Sequence, residues 1–280
     1  MKDIKRIIKS IAGLNPIPQV VHKIMAITRD PDSSMAQLAE IISYDAMATA
    51  NLLKAANSAF YGCTQKFDAV HQAIVFLGMD EVVDLLLMTC SADNLKRSQQ
   101  GYGLTAGELW RYSVASALTA RNLAAAKNIP DPHLVFTAAL LKDIGKVVLE
   151  QYVADSYAKI QALVATGRWS FWEAEKAVLG IDHAELGALA AQVWRFSPEM
   201  IDIIGHHHCP KQARLAHSQT AVVHTSDILC MMMGINSGLD GLAYRFDPDA
   251  VRAIGMTDMD LQTIISGFTE ELRKVEELIC

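Results

Sequence analysis

Apolar side chains return every three or four residues along nearly all of this 280-residue chain. Alternation with a period of two, bounded by turn signals, is hard to find, so the pattern reads as all-α. Helix starts are marked by a capping acceptor three residues ahead of a carboxylate, at Thr105–Glu108, Ser170–Glu173 and Asp182–Glu185. Ser197-Pro198 adds a proline at a first helical position. Stops are marked by Gly78, by Asn128-Ile-Pro130-Asp-Pro132, by Gly167 and by Gly180. This punctuation predicts about a dozen helices of ordinary length.

A polar stretch with glycines, DNLKRSQQGYG from Asp93 to Gly103, separates two strongly apolar helical regions. A second interruption, Asn236 to Asp249, precedes a final amphipathic helix. The expected organisation is an N-terminal helical lobe at 1–100, a helical lobe at 101–235 and a C-terminal helical extension at 236–280. Lys and Arg total 25 against 31 Asp and Glu, a net charge of −6, which leaves no general footprint for nucleic acid. Ser33 to Asn57 has the spacing of two helices around a turn, as in a DNA reader. Its only cation is Lys54, too few to position a recognition helix on phosphates, so no DNA binding is expected.

The N-terminal MKDIKRIIKSIAGL is amphipathic but has no apolar run of signal-peptide or membrane-spanning length, and none follows. It reads as a surface helix packed on its own domain. The five cysteines are widely spaced and form no Cys-x-x-Cys pair, unlike a disulfide framework or a zinc knuckle. A reducing, cytoplasmic setting is expected.

The residues with chemistry to offer lie between Trp110 and Asp227. Asp143-Ile-Gly-Lys146 follows an apolar helix, His183 opens a capped one, and His206-His207-His208 closes another. His224 and Asp227 are three apart and share a helical face. Carboxylate and imidazole together suit a divalent transition metal. Plainer readings stand beside this one: Asp143 and Lys146 as a helix end, His183 on the surface, the histidine run as a charged helix terminus of which only one or two rings face a common site. Asp227, in VVHTSDILCMMM, needs a partner in either case, because an ionised carboxylate inside so apolar a helix is costly. There is no Gly-x-Ser-x-Gly, phosphate-cradling loop or dinucleotide fingerprint.

Four passages carry a family resemblance: LNPIPQVVHKIMAITRDPDSSMAQLAEIISYDAMATANLLKAANSAFYG, VHQAIVFLGMDEVVDLLL, LWRYSVASALTARNLA, and AALLKDIGK with HAELGALAAQVWRFSPEMIDIIGHHH. Over about residues 14 to 215 the chain resembles the HDOD family, relatives of the HD and HD-GYP metal-dependent phosphohydrolases generally regarded as signalling output modules. The resemblance implies an HD-domain-like helical bundle with an N-terminal helical lobe. Catalytic HD enzymes hold metal with a His, a His-Asp pair and a later Asp, and HD-GYP enzymes add further histidines. By that match the first His falls on Tyr112 and the His of the pair on Lys142. Asp143 keeps its place, Lys146 matches the motif lysine, His183, His206 and His207 match the added histidines, and Asp227 matches the final Asp.

An ammonium at 142 puts a cation where a dication would sit, and a phenol at 112 is a poor ligand unless ionised. The expected function is therefore that of a catalytically inactive regulatory protein in bacterial signal transduction, whose partners are other signalling proteins or a small, nucleotide-like ligand. The alternatives are a phosphohydrolase with a reduced site and a nucleotide-binding sensor. In the former, Asp143, His183, His206 and His207 hold one ion of iron, manganese, zinc or nickel, and Lys146 contacts phosphate.

Overall fold

The computed structural model describes residues 4–28, 32–58, 61, 66–235, 238–239, 241 and 244–279. The chain is 74% helical. Among the described residues the only β pairing is a single antiparallel bridge between Gln99 and Leu104. The all-α expectation holds. Cys63 and Cys280 lie outside the described residues.

The chain divides into two compact units, residues 1–15 with 93–268 and residues 16–92 with 269–280. The first helix, α1 (Ile4–Lys9), belongs to the larger unit. Its periodicity explains why: Ile7 and Ile11 are buried. Ser10 Oγ lies 3.2 Å from the Tyr152 hydroxyl, and Asn15 N–H donates to Asn94 Oδ1 at 2.9 Å. The smaller unit holds α2 (Gln19–Thr28), α3 (Met35–Ser43), α4 (Ala46–Ala56), α5 (Val70–Leu77) and most of α6 (Met79–Leu95). Ser34 and Gln37 close a reciprocal capping box on α3, Asp45 caps α4, and Gly78 ends α5.

Two helices form the centre of the larger unit. In α7 (Glu108–Ala126) the segment from Tyr112 to Ala120 is entirely buried. In α8 (Pro132–Leu141) every residue from Leu134 to Leu141 is buried, so the helix is apolar all round. Burial of Phe136, Leu140 and Leu141 contributes about 1.5–3 kcal/mol each. Around them lie α9 (Ile144–Val164), α10 (Phe171–Leu179), α11 (His183–Val193) and α12 (Pro198–His206). Next come α13 (His217–Met232), buried from Thr220 to Asp227, α14 (Pro248–Ala253) and α15 (Asp258–Ile279). No helix among the described residues is long and apolar enough to cross a membrane.

Local capping explains the boundaries around the site. Ser170 and Glu173 form the full reciprocal box, Asp182 accepts from Glu185 N–H at 2.8 Å, and Ser197 caps α12 with Pro198 in its first turn. At Thr105 only half of the expected box forms. Glu108 accepts from Thr105 N–H at 2.6 Å, but Gly107 takes the cap position in a left-handed conformation and the helix starts three residues later.

The units also differ from the lobes expected at 1–100, 101–235 and 236–280. Residues 1–15 join the larger unit, and so do α14 and the first half of α15. Burial of Ile254 and Phe268 and a 2.5 Å Lys127–Asp260 pair tie that segment in.

Candidate functional site

The site begins where α8 hands over to α9. Lys142 and Asp143 form the junction, and Ile144 opens α9. A Cβ added to Gly145 would lie 2.0 Å from the His183 carbonyl oxygen and 2.9 Å from Gly187 N, so only glycine lets the starts of α9 and α11 meet this closely. That approach places Asp143 Oδ1 3.7 Å from His183 Nε2. The plainer reading of the motif as a helix end inverts: Asp143 precedes a helix of 21 residues.

Lys142 is fully buried, and its ammonium lies between two carboxylates. It donates to Asp143 Oδ2 and stands 2.9 Å from Asp227 Oδ1. The Tyr112 hydroxyl donates to the same Asp227 oxygen at 2.6 Å, and the Lys142 ammonium lies 4.6 Å from the Tyr112 ring centroid. Lys146, also buried, pairs with Asp143 Oδ1 at 2.9 Å. Burial by itself would raise both carboxyl groups. Lys142 outweighs it, so Asp227 is held below the usual range and Asp143, with Lys146 adding to the effect, well below it. Burial would lower Lys142, but Asp143 and Asp227 raise it instead. Burial, then the Asp227 charge, pushes the Tyr112 phenol well above its ordinary value, so it is a neutral donor.

Beside this cluster stand three histidines. Ligand atoms of His183, His207 and His208 all lie within 4.8 Å of one another. His183 Nδ1 is 2.6 Å from Glu175 Oε2, and Tyr102 OH donates to Glu175 Oε1 at 2.5 Å. Glu175 overcomes the effect of burial and raises His183, whose Nε2 reaches His208 Nε2 at 2.7 Å. His208 is lowered well below its usual value, by burial first, so it accepts that bond as a neutral ring stacked on Trp172. Burial holds His207 down at about 3. Its Nδ1 donates to the Ile204 carbonyl at 2.7 Å, which leaves the Nε2 lone pair buried and without a hydrogen-bond partner.

A divalent ion fits the two halves differently. Between Asp143 and Asp227 it does not fit, because an ammonium holds the position and two lysines already balance two carboxylates. At the histidines the donor chemistry suits one ion: His207 offers an orphaned nitrogen, and Glu175 orients His183 as carboxylates orient metal-binding imidazoles.

Of the residues expected at a metal site, the structure gathers Asp143, His183, His207 and Asp227 and leaves out His206. Its Nδ1 faces the Asp202 carbonyl at 2.9 Å and carboxylate at 3.0 Å, and the ring lines a separate groove. The reason is local: α12 ends at His206, so His207 and His208 follow the turn that leaves the helix and swing to the other side. His208 therefore takes the place expected for His206. Lys146 is spent on Asp143 and buried, not set where it would meet a phosphate. His183, read on the plainer view as a surface residue, is fully buried. His224 stays outside the cluster, held by the His207 carbonyl at 2.8 Å and Asp247 N–H at 3.2 Å. Glu175, Tyr102 and Trp172 were not anticipated. The signal for Glu175 was its place on the apolar side of α10, with Ala174 and Leu179.

Three crystal structures share this architecture. An HDOD domain protein with unknown function from Geobacter sulfurreducens matches at a TM-score of 0.75 and 22% identity, over 99% of both chains. A candidate signal transduction protein from Marinobacter aquaeolei matches at 0.77 and 19%, over 95% of this chain and 59% of that one. A candidate metal-dependent phosphohydrolase from Shewanella amazonensis matches at 0.58 and 17%, over 95% and 92%. At these identities the likeness is one of fold. The chain spans 38% of the length of the curated relative it matches. The sequence model of the HDOD domain matches residues 14–210. With that match over most of its length, and with the motif positions meeting in one buried centre, the chain belongs to the HDOD domain family.

Proposed function

We propose that this HDOD protein is regulatory and catalytically silent at its HD-type centre, and that it acts in signal transduction by binding another protein or a small ligand. The observation that carries the reading is the Lys142 ammonium between Asp143 and Asp227. Two-metal phosphoester hydrolysis needs ions that lower the pKa of a water and clamp phosphoryl oxygens, and here an internal cation holds the carboxylates such ions would use. The Marinobacter neighbour's name supports a signalling role. The test is an assay of the purified protein with bis-p-nitrophenyl phosphate and cyclic dinucleotides, in manganese, iron(II), zinc and nickel. No turnover above background is expected. Turnover abolished by Asp143→Ala would overturn the proposal.

The three-histidine cluster favours a second reading, a one-ion phosphohydrolase. His183, His207 and His208 would hold the ion, which when bound supplies Lewis-acid polarisation of a phosphoryl oxygen. Glu175 would fix the His183 ring, and Trp172 the His208 ring. Elemental analysis of protein purified without chelator or affinity tag separates the readings. One equivalent of metal with turnover supports the second, and near-zero metal removes it.

A further inference from the structure

A groove of about 800 Å³ runs along α11 and α12, a volume within the roughly 300–1,000 Å³ of small-molecule sites. None of the residues lining it belongs to the lysine and histidine clusters. Its walls are apolar, from Ile181, Leu189, Ile201 and Leu215. The helices approach closely because Gly205 faces Ala188, where a Cβ would come within 3.2 Å of the alanine methyl.

Its polar side chains are few: two carboxylates, the His206 ring and the neutral Gln192 amide. Among the described residues lining it there is no lysine or arginine, while Glu185 and Asp202 are both acidic. Asp202 is fixed by backbone N–H donors from Arg214, Leu215 and Ala216 at 2.8, 2.7 and 3.1 Å. Its other oxygen and its carbonyl both face His206 Nδ1, so that nitrogen carries the ring proton. In the neutral ring His206 Nε2 is then an acceptor, with no hydrogen-bond partner among the described residues. Glu185 is held from outside the groove by Lys176 at 2.5 Å, in a half-exposed pair that solvent screens.

We propose that this groove is a second ligand site, taking an apolar organic cation with N–H donors, an arylalkyl or alkyl ammonium. The hydrocarbon lies on the aliphatic walls, and the ammonium donates to His206 Nε2 and Glu185. An anion of the same shape meets two carboxylates and a lone pair, with only the neutral Gln192 amide as a side-chain donor and no lining cation to offset them. A neutral alcohol can bond His206 but brings no charge to Glu185. The site functions whether or not the buried centre is silent.

Calorimetric titration of the full chain with 2-(1-naphthyl)ethylammonium, the matching alcohol and the matching carboxylate tests this. The ammonium is expected to bind at least about tenfold more tightly than the carboxylate, with the alcohol between them. Glu185→Gln, at a half-exposed position that leaves the core untouched, is expected to bring the ammonium down to the level of the alcohol. Ile201→Trp, with its fold checked by circular dichroism, is expected to abolish binding of all three. Equal or tighter binding of the carboxylate, an unchanged ammonium preference in Glu185→Gln, or no saturation by any probe below millimolar concentration would each overturn the proposal.

Discussion

The two halves of the buried centre share the junction before α9 and the end of α12, yet they satisfy their buried polar groups in opposite ways. In the carboxylate half, Lys142 and Tyr112 stand where imidazoles were expected, and both oxygens of Asp143 and Oδ1 of Asp227 have donors. In the histidine half the imidazoles survive, Glu175 still orients one of them, and His207 keeps a buried lone pair that nothing satisfies. The first half has become an internal ion pair that supports the fold. The second is hydrogen-bonded through Glu175 and Tyr102 but leaves one nitrogen of His207 unsatisfied, the donor chemistry of a metal site. The difference has a physical basis: a cation placed between two buried carboxylates supplies the charge neutralisation they need.

The largest expected effect breaks the carboxylate half. Lys142→Met leaves Asp143 and Asp227 buried with Lys146 alone to balance them, and should cost about 3–5 kcal/mol in urea unfolding. A loss below about 1 kcal/mol, the range of exposed pairs, would remove the contrast between the halves. Next comes Gly145→Ala, which forces α9 and α11 apart where the halves touch. It should cost at least about 1–3 kcal/mol and lengthen the Asp143–His183 contact, read by unfolding and by the His183 NMR shifts.

Acidification sharpens the comparison. Asp143 and Asp227 are held below the ordinary carboxylate range, so the folded protein binds fewer protons there than the unfolded chain. Their contribution is complete above about pH 4 and is lost as pH falls through the depressed folded values. Unfolding midpoints should therefore drop below that point in the wild type. In Lys142→Met the acid slope should flatten or invert, because burial then raises the same groups. A flat wild-type profile would contradict the pairing. The smallest effect concerns the histidine half, whose donor set would hold a zinc ion if one binds. The melting-temperature shift produced by added zinc should be equal in wild type and His206→Ala and absent in His207→Ala.

What was legible in the chain followed the range of the interaction. Ser170, Asp182 and Ser197 announced their helices because a cap is satisfied within three residues of itself. Asp227 demanded a partner from its apolar context, and it has Tyr112 and Lys142. The choice among His206, His207 and His208 was not legible, since it depends on the residue at which α12 stops. The role of Gly145 was not legible either, because it is set by the His183 backbone, which only tertiary packing brings near. Glu175 and Tyr102 reach the centre from α10 and from the segment before α7, with no motif to announce them.

The most direct measurement is an anomalous-difference map from crystals grown with excess manganese. The position between Asp143 and Asp227 should show no manganese peak, with Lys142 Nζ within hydrogen-bond reach of both carboxylates. Two peaks bridged by Asp143, with the lysine turned away, would contradict the central claim.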